Sequence, residues 1–125
     1  SGNHLNWILV HIAVSEDHMT SQLAGKPKRL SEDLHKAYGG GSTCKADDGM
    51  TRAEALKLYN ESHARTLDFV KNFDESRLND KSPEGYPPMF ATMGAALGLI
   101  AAHPYWHIGQ LTVNRTLLKK PKVFG

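Results

Sequence analysis

Three long stretches of the 125-residue sequence carry apolar residues at helical spacing, capping residues stand at their ends, and no stretch alternates with the period of a strand. These observations predict an all-α fold, in which three long helices joined by crossover loops form a bundle within a single domain over residues 1–125. The first helix is predicted from Leu5, Ile8, Ile12, Met19 and Leu23, which fall on one face. Asn3 is placed to cap its start, Gly25 to end it, and Pro27 lies just beyond.

The next segment, GKPKRLSEDLHKAYGGGSTCKADDGM, is rich in glycine and charge and holds one short helix, from about Ser31 to Tyr38. So long a connection points to function or mobility. In TRAEALKLYNESHARTLDFVKNF, Thr51 and Glu54 form a capping box, and Ala55, Leu58, Tyr59, Ala64, Leu67 and Val70 mark the inward face of the second long helix. DESRL makes a short helical turn, and NDKSPEGYPPMF, with its prolines, is expected to be an extended connection. Thr92 then opens the third long helix, which runs to about Lys119, where lysines suit its negative pole. A four-helix bundle needs one more long helix, which is expected upstream of Asn3.

Composition narrows the function. Hydrophobic residues make up 40% of the chain and 15 basic side chains stand against 13 acidic ones, so there is no basic field to attract nucleic acid. Cys44 is the lone cysteine, which excludes an intrachain disulfide and suits a reducing cytoplasm. The longest apolar run, Met93 to Ala102, is half the ~20 residues that span a bilayer, so no membrane role is expected.

The chemistry lies in seven histidines. In AAHPYWHIGQL, His103 and His107 are four apart on the predicted inward stripe Ala96, Ile100, His103, His107, Gln110 or Leu111, and Asn114. Two imidazoles on successive turns can share one ion, and a third ligand must come from another helix. His11 is the candidate, because in WILVHIAV an unpartnered imidazole costs desolvation free energy. The alternative is that these are satisfied core histidines. His18 is either a hydrogen-bond partner behind the cluster or an exposed residue beside Glu16 and Asp17, while His4, His35 and His63 read as surface residues. Pro104 stands where a zinc-protease His-Glu-x-x-His helix needs its glutamate, which excludes that mechanism, and a kink is expected there. Gln110 either hydrogen-bonds a ligand or a bound water, or serves as a core amide bonded to a neighbouring helix. Glu16, five residues past His11, reads as a surface residue, and Tyr105 and Trp106 as bundle packing.

NHLNWILVHIAVSEDHM resembles the second helix of DinB-like proteins, with its Asn-x-x-Trp-x-x-x-His-x-x-x-Ser-Glu pattern. HPYWHIGQLTVNRTLLKKPKVFG resembles their last helix, with its His-x-x-x-His-x-Gly-Gln signature. YGGGS and PPMFATMGAALGLIAAH sit where that family has its crossover loop and the run into the last helix, so the likeness covers nearly the whole chain. The resemblance implies an up-down-down-up four-helix bundle with a divalent ion, zinc or nickel, held by His11, His103 and His107. It places the family's first helix before Asn3, so that helix is absent from the sequence as it stands. A bundle lacking one helix exposes an apolar groove unless a second copy fills it, and the resemblance implies a homodimer.

A three-histidine ion keeps a coordination position open for substrate. The resemblance implies a metal-dependent enzyme that transfers a low-molecular-weight thiol to a small electrophile or hydrolyses a small substrate, with the loop from Gly25 to Met50 shaping the pocket mouth. The alternative is a non-enzymatic, stress-related protein that binds a metal or ligand as a homodimer. No residue stands out as the general base, so catalytic residues are not assigned.

Overall fold

Helix ends form where the chain supplies partners for the backbone groups that a helix leaves open. In the computed structural model, which describes residues 3–45, 47 and 49–121, these ends delimit α1 (Leu5–Ala24), α2 (Glu32–Tyr38), α3 (Arg52–Lys71) and α4 (Met93–Leu117). Gly25 closes α1 in the left-handed region at φ 63°, and the amide of Lys26 bonds back to the Ser21 carbonyl. Thr51 and Glu54 make the expected capping box on α3, and the Thr92 hydroxyl caps α4. The start of α1 differs from expectation. His4, not Asn3, is the cap: its Nδ1 accepts from the Trp7 amide at 3.2 Å while Nε2 donates to the Lys45 carbonyl at 2.8 Å. A neutral imidazole has one donor and one acceptor nitrogen, so it can cap a helix and tie down a distant loop at once.

The result is an all-α bundle arranged around α1. α3 runs parallel to α1, since their contacts ascend together: Asn6 with Met50 and Arg52, Ala13 with Ser62, Glu16 with His63. α4 runs antiparallel, with Asn114 near Asn3, His107 near His11, and Ala96 and Ile100 packed with Met19 and Leu23. The core has two parts. Trp7, Ile8, Val10, Ile12, Val14, Tyr38 and Ala55 form one, and Met19, Leu23, Met93, Ala96 and Ile100 the other. α1 is therefore buried beyond the single face expected of it, because α2, α3 and α4 all pack against it.

The inward face of α3 also differs from the expected stripe. Ala55, Ser62 and Thr66 are buried, while Ala64, Leu67 and Val70 are exposed. Small polar side chains win here because their hydroxyls bond backbone carbonyls, Ser62 that of Ala13 at 2.8 Å and Thr66 that of Ser62 at 3.2 Å, and this lets α3 lie close to α1. The proline-rich connection is not simply extended. It holds a 3-10 turn at Pro88–Phe90 and closes on itself through a Ser82 to Ala91 backbone bond, while DESRL before it makes the expected short helical turn, at Glu75–Arg77. α4 continues through Pro104 to Leu117. Among the described residues, no helix is long and apolar enough to cross a membrane.

Asp17 fastens the crossover loop to α1. Its buried carboxylate accepts the backbone amides of Arg29 and Leu30 at 3.0–3.1 Å and the Nε2–H of His35 at 3.0 Å. Removing it strands three donors, so Asp17→Ala is expected to lower stability by about 3 kcal/mol, against about 1 kcal/mol for Ser62→Ala. Urea unfolding of both variants checks the order.

Candidate metal centre

Helical spacing brings the first two candidate ligands together. His103 and His107 lie one turn apart on α4, and their Nε2 atoms are 3.1 Å apart. His11, across the interface on α1, completes the cluster: its ring centroid is 4.7 Å from that of His107 and 5.2 Å from that of His103. One ring nitrogen from each of the three lies within 4.8 Å of the others. Two nitrogens on one tetrahedral zinc stand about 3.3 Å apart, so the His103 and His107 nitrogens already lie close to the separation that a shared ion needs.

Which nitrogens are free follows from what holds the others. The Tyr38 carbonyl at the end of α2 can only accept, so His11 Nδ1, 2.6 Å away, carries its proton and the Nε2 lone pair is left for coordination. His107 Nδ1 lies 3.0 Å from Gln110 Oε1. His103 Nδ1 is buried and has no hydrogen-bond partner among the described residues. His11 is further fixed by Trp7, whose ring stacks on it at 4.7 Å and 8°. Burial holds the His11 imidazole below its ordinary range, with the Tyr38 bond opposing and His107 reinforcing that shift. Burial, then His107 and His11, push His103 down to about 4. Metal ligands must be unprotonated, and these rings are kept neutral by their surroundings. Convergent, partly pinned imidazoles fit a divalent cation.

The other histidines fall elsewhere. His18 is exposed, but His35 and His63 are not free surface residues, since His35 bonds Asp17 and His63 donates from Nδ1 to Glu16 at 3.0 Å. Glu16 itself, expected on the surface, is 1% exposed. A buried carboxylate must be bonded, and α3 brings His63 to it. This bond makes Glu16 a tie between α1 and α3. Tyr105 and Trp106 are 72% and 58% exposed and do not pack the bundle, because only the opposite side of α4 meets α1. Sequence reasoning did not single out Trp7 as a stacking partner or the Tyr38 carbonyl. A backbone carbonyl is present at every residue, so no pattern marks the one that will meet a ligand.

The sequence model of the DinB superfamily matches residues 2–111. No curated protein and no solved structure matches the chain.

The depressed histidines also set a pH dependence. The unfolded chain takes up protons on these rings near pH 6.5, whereas folded His103 resists until about 4, so their contribution to stability is full above about 6.5 and is lost as the pH falls from there toward 4. The metal-free protein should melt at lower temperature at pH 5 than at pH 7.5, and His103→Gln should flatten that slope. Thermal scans across the range test both.

Proposed function

The chain belongs to the DinB superfamily, and from that premise we propose a metal-dependent enzyme that transfers a low-molecular-weight thiol to a small electrophile or hydrolyses a small substrate. The observation that carries the reading is the convergence of His11, His103 and His107, whose ring nitrogens lie within 4.8 Å of one another, with burial holding the His11 and His103 rings below their ordinary range. Imidazole ligands suit zinc and nickel, which we take as the ions.

A divalent ion held by these residues supplies Lewis acidity and stabilises a thiolate, since a coordinating thiol is deprotonated. The protein's own contribution is binding and orientation. Tyr38 and Gln110 hold the outer nitrogens of His11 and His107, and Trp7 backs His11 with an apolar face. In the transfer, the thiol gives its proton to solvent, sulfur bonds to the electrophilic carbon, and the leaving group departs with the electron pair. Glu16 is engaged by His63, which argues against it as the base. The partner class is a small molecule, and a cytoplasmic location suits the lone Cys44.

A second reading is a non-enzymatic binding protein that works as a homodimer. It draws on the exposed apolar side chains of α4, where Tyr105, Val113 and Leu117 are 60–75% exposed.

Elemental analysis after loading with zinc or nickel should find one ion per chain, and His107→Ala should lower affinity at least ~100-fold with the helical circular dichroism retained. Thiol consumption that disappears with chelator supports the enzyme. Ion uptake without turnover of any thiol or ester leaves the binding protein, and no uptake under any loading condition overturns both metal readings.

A further inference from the structure

We propose that Gln110 is a positioning residue for the metal centre: its amide oxygen holds His107 as the Nδ1–H tautomer, so that the Nε2 lone pair faces His103. This rests on the metal-binding reading above and assigns the motif's glutamine a physical task.

Three residues separate His107 from Gln110 on α4, a spacing that sets their side chains side by side. The contact, Nδ1 to Oε1 at 3.0 Å, reads two ways, because an amide can accept through oxygen or donate through nitrogen. The rest of the cluster decides between them. If the amide oxygen accepts, His107 Nδ1 carries the proton and its Nε2 is bare. His103 Nε2–H then donates across the 3.1 Å gap, and His103 Nδ1 is left as a bare buried acceptor. If instead the amide nitrogen donates, His107 Nε2–H must donate to His103, whose Nδ1–H is then a buried donor with nothing to bond. Orphaned buried N–H groups are rarer than under-satisfied acceptors, so the first arrangement is the stable one.

Gln110 thus does for His107 what the Tyr38 carbonyl does for His11. The two supports differ in kind. Tyr38 acts through its backbone, which no substitution removes, whereas Gln110 acts through an exposed side chain whose loss leaves the core untouched. His103, whose Nδ1 has no partner among the described residues, depends on the other two for its alignment. Outer partners that fix the tautomer and orientation of a ligating histidine typically affect metal affinity by ~10–100-fold.

The test compares the wild type with Gln110→Leu, which removes the acceptor, and Gln110→Glu, which keeps it and adds charge. Zinc affinity is measured by competition with a chromophoric chelator, and the His107 tautomer of the metal-free proteins by long-range proton–nitrogen NMR correlation. Gln110→Leu should bind zinc ~10–100-fold more weakly and lose the single Nδ1–H tautomer, while Gln110→Glu matches or exceeds the wild type and keeps it. Melting temperatures should be alike in all three, which separates positioning from a structural role. Unchanged affinity, or an unchanged tautomer, in Gln110→Leu overturns the inference while the metal reading stands. If the wild type takes up no zinc, the metal reading falls, and the tautomer comparison alone decides whether Gln110 sets the ring.

Discussion

A helix surrounded on several sides must answer for every polar group it carries, and α1 carries His11, Glu16 and Asp17 into the interior. Leaving any of them unbonded costs several kcal/mol, so each is tied to a different part of the chain. His11 bonds the end of α2, Asp17 the loop that leads into α2 and His35 within it, and Glu16 meets His63 on α3. The apolar side chains drive these elements together without direction. The polar ties select the register in which they come to rest, since each bond is satisfied in only one docking of its helix.

The candidate metal centre is a product of the same constraint. His11 lies where α1 meets both α2 and α4, so it serves two neighbours, bonding the Tyr38 carbonyl through Nδ1 while its ring packs against the α4 histidines. Burial holds the His11 and His103 rings below their ordinary range, and the neighbouring imidazoles reinforce that shift. The support is uneven: His11 is bonded and stacked, His107 bonded to an exposed amide, and the His103 ring, among the described residues, hydrogen-bonded to His107 alone. The alignment of such a cluster rests on three outer contacts, those of Tyr38, Trp7 and Gln110.

α4 shows how one helix serves two environments. Its inner side carries Met93, Ala96, Ile100 and His107 against α1, while Tyr105, Trp106, Val113 and Leu117 face outward. The inner side follows the stripe expected from spacing at Ala96, Ile100 and His107, whereas the exposure of Tyr105 and Trp106 depends on which neighbours reach the outer side.

Local chemistry by itself determined the helices and their ends, because caps, glycine stops and apolar spacing act within a few residues. Gly25, the Thr51–Glu54 box and Thr92 all stand where the chain turns. It also placed His103 and His107 on one face, since four residues in a helix make a turn. Which polar residues would be buried was decided only by tertiary structure. Glu16 and His63 are 47 positions apart, Asp17 and His35 18, and nothing in either neighbourhood marks the other as partner. For the same reason the inner face of α3 went to Ser62 and Thr66, whose hydroxyls let two parallel helices approach, while Leu67 and Val70 were left in solvent. Periodicity records how apolar each side of a helix is. Whether another helix arrives there, and how closely, depends on surfaces that meet only when the chain has folded.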